Sequence, residues 1–225
     1  MMSLEAYSLA QFHEGVFKRK LDAFVEDYSL ESKPALVFQA IPAGTTAIDV
    51  TKHSVQTALH EGADAISDTG WWYAFKASGR PVLVFDGLAS SSNAGEQGWV
   101  SEVHEDGHLI AGLWTFPHVR EHEQESQPAA ASFYVHAFRD FGFVARKVYE
   151  AASYSGGVVA TCTLLQANLL PLAAPRGGSV IASASKRSVL HWPLQTAASL
   201  DVMDAVCASM AVRFMRTYGK RAELW

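Results

Sequence analysis

His104-Glu105-Asp106-Gly107-His108 spells H-E-x-x-H, the string in which two histidines one helical turn apart grip zinc while the glutamate activates a water for hydrolysis. That chemistry needs a helix, because only the helical repeat puts positions four apart on one face. The flanks argue for strands instead. Trp99-Val100-Ser101-Glu102-Val103 and Leu109-Ile110-Ala111-Gly112-Leu113-Trp114 are rich in strand formers, and Asp106-Gly107 is a two-residue hairpin signal. A hairpin over 99–114 with that turn pairs Glu105 with His108, Val103 with Ile110 and Trp99 with Trp114, which sends His104 and His108 to opposite faces. The expectation is a hairpin with no metal. A metal-dependent hydrolase using His104, Glu105 and His108 is the alternative, although Ala111 and Trp114 stand where the longer metzincin string has its glycine and third histidine.

Other constellations are weaker. His118 and His122 lie four apart beside Glu121 and Glu123, but in a charged, proline-bounded connection that reads as solvated loop. Ser183-Ala184-Ser185-Lys186 fits the S-x-x-K pattern in which a lysine activates a serine; no K-T-G follows, and the segment lacks the apolar period of the helix that pattern requires. Arg176, Lys186 and Arg187, with Gly177-Gly178 between, outline an anion-holding loop, against the plainer reading of an exposed turn. Trp71, Trp72, Tyr73, Trp99, Trp114 and Trp192 would make a stacking platform for bases if exposed. Core is the expectation for them, leaving Trp71 and Trp72 as interface anchors. Neither a G-x-S-x-G elbow, a P-loop nor a G-x-G-x-x-G is present.

The elements that would position these residues follow from periodicity. Leu9, Phe12, Val16, Phe17, Leu21, Phe24 and Tyr28 recur every three or four residues and predict an amphipathic helix over about 4–28. Ala35 to Ile41 reads as a buried strand ended by Pro42 and Gly44, and Pro81 to Phe85 as another, broken by Asp86-Gly87. Between them, 45–79 holds a short helix near 53–60 and an aromatic strand at 71–75. Tyr134, Ala137, Phe138, Phe141, Val144 and Val148 predict a helix over about 131–152, ended by Gly156-Gly157. A β-rich run over 158–170, a strand at 188–192 and a third long helix over about 197–218 complete the chain. The fold class is α+β: one domain over 1–225, a mixed, largely antiparallel sheet with the hairpin at 99–114, and three long amphipathic helices.

Composition narrows the function. The 225 residues are 49% hydrophobic, enough for one sizeable core, and the net charge of -5 gives no general attraction for nucleic acid. Cys162 and Cys207 are the only cysteines, too few for a disulfide framework or a cysteine zinc site, which suits a reducing cytoplasm. The start lacks a basic segment followed by an apolar run, and no apolar stretch is long enough to span a bilayer, so neither export nor a membrane anchor is expected.

Leu36-Val37-Phe38-Gln39-Ala40-Ile41-Pro42, Val84-Phe85-Asp86-Gly87-Leu88, the turn at Val103-His104-Glu105-Asp106-Gly107, and Leu190-His191-Trp192-Pro193 leading to a helix that ends near Tyr218-Gly219 fall in an order that resembles the C-terminal region of bacterial DNA-binding proteins of the Schlafen/AlbA-like class. At the hairpin that family tends to have Phe-Arg-Asn-Gly, from which this chain departs. Its members carry an AlbA-like domain ahead of this region and the present chain opens on a helix, so the resemblance brings neither nucleic-acid binding nor any catalytic residue with it. What it implies is an accessory module of a bacterial system.

Missing catalytic constellations and this resemblance point to a non-catalytic binding or regulatory module that recognises a protein partner or its own copy, with no cofactor. The N-terminal helix is the expected interaction element, because a small sheet has limited area for three apolar stripes; Phe12, Val16, Phe17 and Phe24 line its apolar side, beside Lys18, Arg19 and Lys20. Nucleic-acid binding through Arg176, Lys186, Arg187 and exposed aromatics is the further alternative.

Overall fold

In the computed structural model, residues 4–44, 46–63, 75–77, 79–92, 98–114, 129–173, 180–182 and 184–219 are described. The elements run α1 (Leu4–Asp27), β1 (Ala35–Pro42), α2 (His53–Glu61), β2 (Val82–Val84), β3 (Gly87–Ser91), β4 (Trp99–His104), β5 (Leu109–Leu113), β6 (Ala129–Ala130), α3 (Ala131–Ala151), β7 (Val158–Leu165), β8 (Leu172–Ala173), β9 (Val180–Ala182), β10 (Leu190–His191), β11 (Gln195–Ala197) and α4 (Met203–Thr217). This is the α+β architecture that the periodicity predicts. Eight strands form one antiparallel sheet in the order β10-β7-β1-β5-β4-β3-β2, with β11 also paired to β7, while β6, β8 and β9 form a small separate sheet.

The central strand β1 is buried along its whole length, which a continuous apolar run requires and an alternating one does not. Leu36, Phe38 and Ala40 belong to a core shared with α2, α3 and α4, whereas Ala35 and Val37 meet Leu21 and Phe24 of α1 on the other face. Further along that second face, Val16 and Phe17 pack on Ile41 and Val159. The sheet is thus sandwiched between α1 and a layer of three helices. Phe38 is the hub of the main core, stacked on Phe141 at 5.0 Å and edge-on to Phe138 at 4.9 Å.

Both long helices that lead into central strands end in the same way. Ser29 and Ser153 take positive φ of 51° and 64°. Leu30 N–H reaches Val25 C=O and Tyr154 N–H reaches Tyr149 C=O, each at 2.9 Å, while Ser29 and Ser153 bond back to Glu26 and Glu150. These are Schellman caps with serine where glycine is the usual choice. For α3 this corrects the expectation of a stop at Gly156-Gly157; the Tyr149–Tyr154 ring contact at 5.8 Å supplies the apolar clasp that lets a serine do the work. The last helix also starts later than its apolar pattern suggests, because Gln195–Ala197 pairs with β7 and Leu200–Val202 forms a 3-10 turn first.

Candidate functional site

The H-E-x-x-H string lies on a hairpin, β4 to β5, but in a register one residue away from the expected one: Val103 faces Leu109, Glu102 faces Ile110 and Trp99 faces Leu113. The cause is the turn. His104 C=O accepts from Gly107 N–H and His104 N–H donates to His108 C=O, both at 2.9 Å, so the loop holds three residues, Glu105-Asp106-Gly107, with Gly107 at φ +82°. Such a three-residue turn with glycine in the left-handed position uses the same Asp-Gly pair as the two-residue form. One more loop residue moves the pairing by one, and a one-residue shift turns a side chain to the other face. His104 and His108 therefore share the face beneath α1, rings 6.5 Å apart, rather than opposite faces.

Sharing a face does not make them a metal pair. His104 Nδ1 lies 2.7 Å from Asp86 Oδ1 and its Nε2 3.3 Å from Glu102 Oε2. With a carboxylate at each nitrogen the ring is best satisfied as a two-fold donor, the imidazolium. Burial works against that charge, but the hydrogen bonds to Glu102 and Asp86 outweigh it and hold the ring above its ordinary pKa. Asp86 Oδ2 accepts from Lys20 Nζ at 3.2 Å, Lys20 lies 3.8 Å from Asp106, and Tyr28 donates its hydroxyl to Glu102 Oε1 at 2.5 Å. Burial also opposes the Asp86 charge, yet the His104 and Lys20 bonds pull its carboxyl below the usual range.

His108 is the opposite case. It is fully buried, edge-on to Phe17 at 5.3 Å, and its Nε2 donates to Gln39 Oε1 at 3.0 Å. Burial, then repulsion from His104 and Lys20, pushes its pKa down to about 3, so the ring is neutral. Its Nδ1 has no hydrogen-bond partner among the described residues. Glu105, the glutamate a zinc hydrolase would use, is exposed on the turn with its backbone tied to Asp86 and Ile48. Among the described residues no group of three or more His, Cys, Asp or Glu is placed to hold a metal ion. The cluster is a polar seam that clamps α1 and the β2–β3 turn to the hairpin. A second perturbed acid, Asp140 on α3, is raised to about 7 by burial, only partly offset by Arg139.

The apolar stripe of α1 is used inside the chain. Val16, Phe17 and Phe24 are 9%, 4% and 2% exposed, which corrects the expectation that they form an uncovered patch. The side chain of Phe12, and Trp71, Trp72 and Arg176 altogether, lie outside the described residues, as do His118, Glu121, His122, Glu123 and Ser183. Lys186 and Arg187 are exposed on a turn where Arg187 N–H donates to Ser185 Oγ at 3.1 Å. Trp99 and Trp192 are core residues, the latter donating its indole N–H to Met210 C=O, and Trp114 stacks on Tyr28 at 5.7 Å. Cys162 and Cys207 are buried free thiols.

Sequence reasoning missed two things. Lys20, Tyr28, Asp86 and Glu102 gave no local signal, because each meets its partners only across the fold. The other is the exposure of β2, terminal in the large sheet among the described residues: Val82 and Leu83 are 62% and 69% exposed, and Phe85, just past the strand, 93%. Pro81 was the available hint, since proline in a strand run marks an edge. Among the described residues no helix is long and apolar enough to cross a membrane. Comparison of the chain with protein-family models, with curated proteins and with solved structures gives no match, so the Schlafen/AlbA-like resemblance rests on its short landmarks alone.

Proposed function

We propose that this chain is a non-catalytic binding module that works by protein–protein contact, and that the contact is made at the β2 edge of its sheet. The observation that carries the reading is the exposure of Val82 and Leu83 on a strand that is terminal among the described residues, with Phe85 exposed in the loop that follows it. Sheet edges are normally blunted by charge, by short strands or by cover, since an apolar edge with free backbone groups is a template for another chain. The opposite edge follows that rule: β10 and β11 are two short pieces on β7 separated by Pro193. At β2 apolar side chains are presented instead. The histidine seam, which offered the other reading, has both His104 nitrogens engaged and its rings buried under α1.

A photoreactive phenylalanine analogue in place of Phe85 tests this, with the same analogue at Val202, 43% exposed at the start of α4, as control. Adducts at position 85 well above those at 202 are expected. Equal or absent adducts at 85 would remove the reading.

A further inference from the structure

In the β2–β3 hairpin Val84 faces Gly87 across the two-residue loop Phe85-Asp86. The pair that closes a two-residue loop is a hydrogen-bonded one, so the pairs alternate back along the strand and Leu83, opposite Leu88, turns its N–H and C=O away from β3. One complete donor–acceptor set is therefore aimed outward at the middle of the edge. Its neighbour on the outward side is Pro81, which accepts but has no N–H to donate. The side chains alternate. Val84 leans on the cluster under α1, Val82 shares that face with it, and Leu83 stands on the other.

Charge supplies the second argument. Two cations, Lys20 and His104, are joined with three carboxylates, Asp86, Glu102 and Asp106, at the end of this hairpin. The Asp86 and Asp106 side chains are 41% and 47% exposed. Arg80, six positions before Asp86 in the chain, is exposed and pairs with no carboxylate among the described residues. An antiparallel partner centred on Leu83 sets Leu83 against its own copy, Val82 against Val84, Pro81 against Phe85 and Arg80 against Asp86. Arg80 of each chain is then brought to the carboxylate-rich end of the other.

We infer that the occupant of the β2 edge is a second copy of this chain, joined by a two-fold β2–β2 pairing with Leu83 on the axis. The inference rests on the binding-module reading above and names its partner. The pairing is isologous, so it closes at two copies and leaves no free apolar edge to propagate. A two-fold axis normal to the sheet keeps both α1 helices on one side and joins Val82 of each chain to Val84 of the other over one continuous apolar layer.

Sedimentation of the full chain over a concentration series is expected to give a monomer–dimer equilibrium, and Leu83→Arg to weaken it at least tenfold with an unchanged far-ultraviolet spectrum. Register is read by cysteine cross-linking under mild oxidation, with Cys162 and Cys207 buried and silent. Val82→Cys mixed with Val84→Cys is expected to give a mixed disulfide that neither variant forms by itself. Arg80→Asp is expected to weaken the dimer as well, by placing like charges together. A wild-type chain that stays monomeric, a dimer untouched by Leu83→Arg, or either cysteine variant cross-linking to itself as readily as to the other would overturn the inference. A monomeric chain that still gives adducts from position 85 loses the self-pairing and keeps the binding reading; one that gives neither loses both.

Discussion

His104 and His108 face each other across a turn, and their pKa values are shifted in opposite directions. The folded pKa of His104 is raised above its ordinary 6.5, so the stability it contributes is fully present below that value and is lost as pH rises through the folded one. His108 is lowered from 6.5 to about 3, so its contribution is present above 6.5 and is lost as pH falls toward the folded value. Thermal melts of single variants separate the two. Relative to His108→Gln, the wild type is expected to lose up to about 1.4 kcal/mol per pH unit between pH 6.5 and 5. Relative to His104→Gln, its advantage is expected to shrink as pH rises above 6.5. Parallel melting curves at every pH would contradict both assignments. At this scale the Asp106-Gly107 turn was legible and its length was not, because that dipeptide serves two-residue and three-residue loops alike. The single residue between them decided which face His108 took.

At the scale of elements, the two serine caps and the seat of α1 make separate predictions. Ser29 and Ser153 occupy positive-φ positions in which glycine carries no Cβ penalty, so Ser29→Gly and Ser153→Gly are each expected to raise stability, by about 0.5–1 kcal/mol in denaturant melts. A loss of stability in both would show that the serine side chains hold something beyond the cap. The seat of α1 depends on an absence. A Cβ on Gly112 would come within 2.4 Å of the Phe24 ring, so Gly112→Ala pushes α1 off β5. Proteolysis within Lys18–Lys20 is the readout, and cleavage is expected to rise in Gly112→Ala. In a Phe24→Ala background the same change is expected to cost less, because the ring it strikes is gone; additive costs would mean that the two residues do not meet. Periodicity foretold α1 and α3 to within a residue or so at their ends, and it named the buried Val16, Phe17, Leu21 and Phe24 of α1 correctly. Which surface covers that stripe was not legible. The continuous apolar run of β1 implied a strand buried on both faces, and α1 is what buries the second.

Across the whole molecule, one sheet carries a helical layer on each side, with one edge broken into the short strands β10 and β11 and the other apolar at β2. The fold class was legible because long periodic helices and an antiparallel hairpin leave few alternatives. The proposed contact surface was not, since exposure of Val82, Leu83 and Phe85 depends on strand order, and strand order is set by pairings far apart in the chain. Placing the contact at β2, with α1 as a fixed structural layer, separates it from a reading in which α1 itself is the binding element. Peptide-resolved hydrogen–deuterium exchange at low and high protein concentration tests that most directly. Slower exchange confined to 82–85 at high concentration, with the rates of 14–27 unchanged, is the predicted result. Protection that grows in 14–27 while 82–85 exchanges at the same rate throughout would contradict it.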